Sequence, residues 1–153
     1  MESCIKMILF CLSVCTFFIL SYGCASQQKS MIQLKDQGIC QEIKSGRMWQ
    51  LDKGGKFSSL DEAERYAASL QLGGYNDWRV PTRDEYFELH NMFFSLGIGT
   101  NNDCAMNFNG DFWSVPKGEE PTLGHWEAYF LCGTEIKYIE SYGIEGYVRA
   151  VRP

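Results

Sequence analysis

The sequence lacks an apolar run long enough to cross a membrane, and it lacks a cluster of basic residues. The apolar stretch near the N-terminus, Ile8 to Leu20, is 13 residues long, whereas a membrane-spanning helix needs about 20. Lysine and arginine are scattered and the net charge is −5. We therefore expect no nucleic-acid partner, because phosphates demand a basic surface. Long polar low-complexity tracts are also missing, so we expect a folded chain.

Histidine is scarce as well, since His90 and His125 are the only two in the chain. Neither has a nucleophile at a spacing typical of a catalytic motif, and His90 lies among apolar residues of a predicted helix. No cysteine and histidine stand at the short spacing of a metal site. The sequence therefore favours a protein that is not an enzyme.

The first 23 residues have the layout of a cleaved signal peptide. Lys6 precedes the apolar stretch, and Gly23-Cys24 after it resembles the processing box of bacterial lipoproteins, although Ser21 stands where that box prefers Leu. The resemblance implies that Cys24 carries lipid, including palmitate, and ordinary secretion or an uncleaved anchor are the alternatives. Acyl chains contribute about 0.8 kcal/mol per buried methylene, so the expected partner is the lipid bilayer of the cell envelope, the outer membrane being favoured.

Cleavage before Cys24 leaves 130 of the 153 residues, the usual size of one domain. Residues 24–30 are predicted to form a lipid-anchored tether, and residues 31–153 a single extracytoplasmic domain.

Three cysteines remain beyond Cys24, namely Cys40, Cys104 and Cys132. An oxidising compartment favours one disulfide and one leftover thiol, and the sequence leaves all three pairings open. We expect Cys104 to pair with Cys132, because both lie in the loop-rich second half of the chain.

Two helices are predicted by capping boxes. Ser59 to Glu62 begins the first, which Gly73-Gly74 ends, and Thr82 to Glu85 begins a second over 83–94. Residues rich in aromatic and β-branched side chains then predict strands, with two further candidates upstream. These strands are Ile32–Leu34, Gln41–Trp49, Phe112–Val115, Trp126–Leu131, Glu135–Ile139 and Tyr147–Val151. Helices followed by antiparallel strands indicate an α+β fold.

Several ordered motifs resemble a known family, the Lcl C-terminal domain, which is named for the end of a bacterial collagen-like adhesin. They are Gly46-Arg47-Met48-Trp49-Gln50, the run from Leu72 to Thr82 with Glu85, Phe112-Trp113-Ser114, and Tyr147 to Arg152. Most members have no assigned activity. The same motifs are more distantly similar to formylglycine-generating domains of the C-type-lectin-like fold. That resemblance implies two helices packed on a small twisted antiparallel sheet with long loops, but not the cysteine-based activity, since the closing strand has no cysteine.

The sharpest local cluster is Asn76-Asp77-Trp78-Arg79. We expect a structural role, in which Trp78 fills the core, Arg79 makes buried hydrogen bonds and Asp77 closes the turn before the second helix. At least two of the other tryptophans are needed for the core. Trp126, beside His125, is the best candidate to line a ligand surface.

The polar loops 97–111 and 116–125 are the expected recognition face. Their oxygens, from Asn101, Asn102, Asp103, Asp111, Glu119 and Glu120, are of the kind that holds Ca²⁺. We expect solvated loops to be the commoner outcome, so no cofactor is required. The candidate ligand-binding residues are Trp126, His125, Asp103, Asp111 and Glu120.

Together these features predict a non-catalytic envelope lipoprotein that binds a glycan or an envelope or host-surface component. A structural subunit of an envelope assembly is one alternative. A thiol-dependent enzyme, with a reduced cysteine beside His90 or His125, is the other.

Overall fold

The computed structural model describes residues 31–34, 37–94, 104–120, 122–129 and 135–153. The predicted α+β class is confirmed, and these described residues form two helices and two small sheets, where we expected one sheet. The helices are α1 (Leu60–Ser69) and α2 (Arg83–Phe94). The strands are β1 (Met31–Leu34), β2 (Ile39–Glu42), β3 (Met48–Gln50), β4 (Gly54–Phe57), β5 (Phe112–Trp113), β6 (Leu123–Tyr129), β7 (Glu135–Glu140), β8 (Gly146–Val148) and β9 (Val151–Arg152).

Both predicted helices begin at their capping boxes. The Ser59 hydroxyl accepts a hydrogen bond from the Glu62 amide at 3.3 Å. At α2 the bond is reciprocal, because the Glu85 amide donates to the Thr82 hydroxyl at 3.2 Å and the Glu85 carboxylate accepts from the Thr82 amide at 2.9 Å. Each box satisfies amide groups that have no partner within the helix.

The strands form a four-stranded sheet in the order β1-β2-β3-β9 and a five-stranded sheet in the order β4-β8-β5-β6-β7. All pairs are antiparallel except β5 with β8. The predicted strand Gln41–Trp49 is wrong as one element, because a turn at 43–47 divides it into β2 and β3. The sequence also did not predict β4, whose two glycines resemble a turn.

The predicted closing strand, Tyr147–Val151, passes from one sheet to the other. It pairs as β8 with the five-stranded sheet and as β9 with the four-stranded sheet, and Arg149 and Ala150 lie buried between them. Arg149 is fully buried and donates to the carbonyls of Leu51, Gln50 (2.8 Å) and Asn107 (2.6 Å). Burial lowers the pKa of its guanidinium to about 10. This side chain connects the described loop at Asn107 to the end of β3 and to the closing segment.

Three of the four tryptophans fill the core, as the sequence predicts. Trp49 is 0% exposed, Trp78 2% and Trp113 8%. Trp49 packs with α2 and the four-stranded sheet, whereas Trp78 and Trp113 pack with α1 and the five-stranded sheet. The two halves of the core meet along the closing segment, where Val148, Ala150 and Val151 are all buried.

A disulfide joins Cys40 on β2 to Cys104, 64 residues later. The prediction that Cys104 pairs with Cys132 is therefore wrong, and Cys132 lies outside the described residues. The physical reason is long-range, since α2 and the four-stranded sheet bring the start of the described loop at Cys104 against β2. Within the described part of the chain, neither helix has the length and apolar character needed to cross a membrane.

Candidate functional site: the outer face of strands β6 and β7

Strands β6 and β7 form the edge of the five-stranded sheet and have two unlike faces. Because side chains alternate along a strand, His125, Glu127 and Tyr129 point to one side and Trp126 to the other. Opposite them in register lie Ile139, Lys137 and Glu135, in that order. We call the side that carries these six residues the outer face.

The inner face packs against α2. The Trp126 ring lies 5.1 Å from the ring of Phe87 and 5.3 Å from that of Tyr138, measured between centroids. Burial raises the pKa of Tyr138 to about 12. The Tyr138 hydroxyl is buried without a hydrogen-bond partner among the described residues. This layer supports the sheet from beneath.

His90 of α2 belongs to the same inner layer. It is 3% exposed, and its ring lies 4.5 Å from that of Phe108 and 6.4 Å from that of Trp126. Burial lowers its pKa to about 3, with a smaller contribution from the nearby Arg149 guanidinium. The sequence-based placement of His90 among core residues is confirmed, and near neutral pH this imidazole is uncharged.

The outer face carries a chain of hydrogen bonds centred on His125. Its Nδ1 lies 2.6 Å from Asp111 Oδ1, just before β5, and its Nε2 lies 3.3 Å from Glu127 Oε1. The Tyr129 hydroxyl donates to the other oxygen of Glu127. A protonated imidazole donates from both ring nitrogens, so two carboxylates are satisfied by one cation.

The other oxygen of Asp111 accepts from the Ser141 hydroxyl at 2.6 Å. Ser141 is the first residue of the loop 141–145, which joins β7 to β8 and which we call the tip loop. The chain of contacts therefore runs from Ser141 through Asp111, His125 and Glu127 to Tyr129, and connects the tip loop to the last residue of β6.

The pKa values of these groups shift in the directions that favour the ion pairs. Partial burial opposes the imidazolium, but the hydrogen bonds to Asp111 and Glu127 outweigh it and raise the pKa of His125 above its usual value. Burial likewise opposes the Asp111 carboxylate, and the bonds from Ser141 and His125 still lower its pKa. The hydrogen bonds from Tyr129 and then His125 lower the pKa of Glu127. The cluster is thus most stable with its carboxylates ionised and its imidazole protonated.

Of the sequence-predicted ligand residues, His125 and Asp111 lie together, whereas Trp126 and Glu120 lie elsewhere. Trp126 lies on the inner face, because neighbouring residues of a strand point to opposite sides. Glu120 pairs with Arg83 at the start of α2, at 2.7 Å. Asp103 lies outside the described residues, as do Asn101 and Asn102. No group of three or more histidine, cysteine or carboxylate side chains suited to a metal ion occurs in the described ranges.

Sequence reasoning missed Glu127, Tyr129 and Ser141, and also the two apolar residues of the tip loop, Tyr142 and Ile144. The strand alternation His125, Glu127, Tyr129 was available as a signal, since it places all three on one face. No local signal marks Ser141, which meets Asp111 only because β7 lies beside β6.

The cluster Asp77-Trp78-Arg79 divides differently than expected. Trp78 is buried, as predicted, but the prediction of a buried Arg79 is wrong: its side chain is 46% exposed and pairs with Glu85 at 2.7 Å. Asp77 does not close the turn at the helix, because Thr82 caps α2. The Asp77 carboxylate instead accepts from Arg152 at 2.6 Å.

Trp78 and Arg79 also line a groove of about 470 Å³ with Glu64, Ala68, Val80, Thr82 and Val115. None of these lining residues is a cysteine or a histidine.

Comparison with protein families, with curated proteins and with solved structures found no match to this chain. The site is therefore interpreted from its own geometry.

Proposed function

We propose that this protein is a non-catalytic binding module, held to the cell envelope by lipid on Cys24, and that the outer face of β6 and β7 with the tip loop is its binding surface. The proposed ligand is a glycan or another component of the envelope or of a host surface. The observation that carries the proposal is the hydrogen-bonded chain from Ser141 to Tyr129, which holds polar side chains in place beside the exposed apolar tip loop. A surface ordered in advance loses less entropy on binding.

The state of the ionisable groups supports binding over catalysis. Both ring nitrogens of His125 face carboxylates, and the Ser141 hydroxyl donates to the Asp111 carboxylate rather than to an imidazole. His90 is buried and has a lowered pKa. These arrangements hold the groups in a stable charge pattern, whereas general-base catalysis needs a basic atom open to the substrate.

The compartment is supported by the disulfide between Cys40 and Cys104, whose side chains are buried. Disulfides of this kind persist in oxidising compartments outside the cytoplasm. The resemblance of the motifs to the Lcl C-terminal domain, which belongs to an adhesin, also favours the cell envelope. The relation to that domain and to the C-type-lectin-like fold is part of the proposal.

The binding proposal is tested with the full chain, purified from membranes in detergent and applied to a glycan array and to immobilised envelope fractions, with and without Ca²⁺. We expect a bound component whose binding weakens at least tenfold in Glu127→Gln combined with Tyr129→Ala. Lys44→Ala, an exposed change in the turn between β2 and β3, is the matched control. The absence of any bound component, or equal binding by both variants, contradicts the proposal.

The anchor is tested separately in cells. The native chain should incorporate a palmitate analogue added to the cells, and Cys24→Ser should abolish this labelling, because the site of acylation is lost. A native chain that takes up no label contradicts the lipid anchor and favours ordinary secretion or an uncleaved signal.

In the alternative of a thiol-dependent enzyme, one cysteine of the mature chain is left as the candidate nucleophile. Cys40 and Cys104 are bonded to each other, so the nucleophile would be Cys132. Titration of the native chain with a thiol reagent at pH 6 distinguishes the two ideas, because a catalytic thiolate reacts fast below the usual thiol pKa and an ordinary thiol reacts slowly.

A further inference from the structure

The tip loop presents the two most exposed large apolar side chains of the described residues. Tyr142 is 92% exposed and Ile144 is 80%, whereas Ile43, the next in order, is 45% exposed. Apolar side chains scattered singly over a surface are ordinary, but two at the tip of one short loop form a patch that water solvates poorly. Such a patch is a candidate for contact with another molecule.

The tip loop is held at its base rather than free. The Ser141 amide donates to the Leu123 carbonyl at 3.0 Å, and the Ser141 hydroxyl donates to Asp111. The same hydroxyl accepts from the Gly143 amide at 3.1 Å, so it bridges the turn inside the loop. At the far end Gly146 is buried, where a Cβ would meet Leu123 and Trp113. Both ends are therefore fixed while the apolar side chains project outward.

The surroundings of the tip loop are acidic. Glu140 precedes the loop and Glu145 is its last residue, and both are exposed; Glu127 and Glu135 lie on the adjoining outer face. Lys56 reaches Glu145 only at 3.9 Å, and Lys137 pairs with Glu135 at 3.3 Å. With Asp111 and the protonated His125 included, five carboxylates stand against three cations here. The surface therefore carries a net negative charge, which complements a positively charged partner and repels polyanions.

The residue types decide among the ligand classes that the proposed function leaves open. Sugars are bound by hydrogen bonds and aromatic stacking, for which the aliphatic Ile144 provides nothing. An aromatic and an aliphatic side chain together suit an apolar pocket in a protein, where buried anchors of this kind dominate the binding energy. A bilayer surface with anionic lipids is disfavoured by the acidic surroundings.

We propose that the tip loop inserts Tyr142 and Ile144 into an apolar pocket of a protein partner whose rim carries lysine or arginine side chains. This inference rests on the proposed function, and it names the class of ligand for the same surface. The Ser141–Asp111–His125 contacts act here as the support that keeps the loop in its binding conformation.

The test uses the full chain in nanodiscs of neutral phosphatidylcholine and a phage library that displays random twelve-residue peptides. Empty nanodiscs remove peptides that bind lipid. We expect enriched peptides that carry a net positive charge and at least two apolar side chains, which can enclose Tyr142 and Ile144. Their affinity should fall at least tenfold in the double variant Tyr142→Ser with Ile144→Ser, and several-fold between 0.05 and 0.5 M NaCl, because salt screens exposed charges. Ile43→Ser, the same kind of change at an exposed site on the other sheet, should leave it unchanged.

Four outcomes overturn the inference. They are no enrichment, enrichment of acidic or uncharged peptides, equal binding by the double variant, and binding of phosphatidylcholine-phosphatidylglycerol vesicles that depends on Tyr142 and Ile144. A glycan that binds the outer face in a Glu127-dependent manner, with no peptide enriched, overturns the protein partner but leaves the proposed function standing. The absence of any ligand, glycan or peptide, contradicts both.

Discussion

His90 and His125 lie on opposite sides of strand β6 and have opposite electrostatic surroundings. His90 is beneath the sheet among aromatic rings, and burial lowers its pKa to about 3. His125 is above the sheet between two carboxylates, which raise its pKa. The comparison shows that the two faces of β6 and β7 have different roles. The inner face supports the sheet by apolar packing, and the outer face holds charged groups in position for contact with solvent or a ligand.

The largest loss of stability should come from a substitution in the inner layer. Trp126→Ala removes a ring that packs on Phe87 and Tyr138, and we expect a loss of about 3 kcal/mol in the free energy of unfolding. Tyr129→Ala, three residues on and on the outer face, should cost less than about 0.5 kcal/mol. Urea unfolding followed by circular dichroism measures both. Equal losses would show that the two faces do not differ in packing.

The second effect is the acid sensitivity that His90 contributes. Its pKa is lowered on folding from 6.5 to about 3, so the unfolded chain binds the proton first and stability falls as pH drops below 6.5. His90→Phe keeps an aromatic ring without the proton site. Between pH 7 and pH 5 the native chain should lose about 2 kcal/mol more stability than the variant. Parallel stability curves for the two proteins would contradict the buried neutral imidazole.

The contribution of His125 to the free energy of unfolding should change with pH in the opposite direction and by a smaller amount. Because its pKa is raised on folding, its contribution is fully present below the unfolded value of 6.5 and is lost as pH rises through the folded pKa. Solvent screens these pairs, so His125→Gln should cost only about 0.5 kcal/mol at pH 6. The difference between native chain and variant should shrink toward pH 9. A difference that grows with pH would reverse our assignment of the charges.

The smallest effect on stability should belong to the tip loop. Tyr142→Ser with Ile144→Ser removes two side chains that are almost fully exposed, so the free energy of unfolding should stay within about 0.5 kcal/mol of that of the native chain. Urea unfolding checks this. A loss above 1 kcal/mol would mean that these side chains pack in the folded protein, which would remove the case for a docking surface.

Local signals were enough to predict the helices and most strands. The capping boxes at Ser59 and Thr82 act within four residues, so their outcome depends little on the rest of the chain. The sequence also predicted the burial of Trp78 and His90. It failed for Arg79, because the guanidinium finds Glu85 at the surface, six residues away on the first turn of α2.

Contacts between distant residues were beyond such signals. His125 meets Asp111 across 14 residues and Ser141 meets Asp111 across 30, and neither pair has a motif that announces it. The pairing of Cys40 with Cys104 depends on how α2 packs on the four-stranded sheet. Arg149, in the closing segment that divides between the two sheets, binds carbonyls of Gln50 and Asn107, which are 99 and 42 residues away in the chain.

The sequence by itself determined the α+β class, the residues at which both helices begin and the alternation that places His125, Glu127 and Tyr129 on one side of β6, whereas α1 ends at Ser69, before the Gly73-Gly74 pair that was expected to end it. These properties depend on neighbours within a few residues, which interact whatever the rest of the chain does. Only the tertiary structure decided which cysteines pair, which carboxylates surround His125 and where the apolar tip loop projects. Those contacts form only after the strands have taken their register, because their energies are too small to bring distant segments together without the packed core beneath.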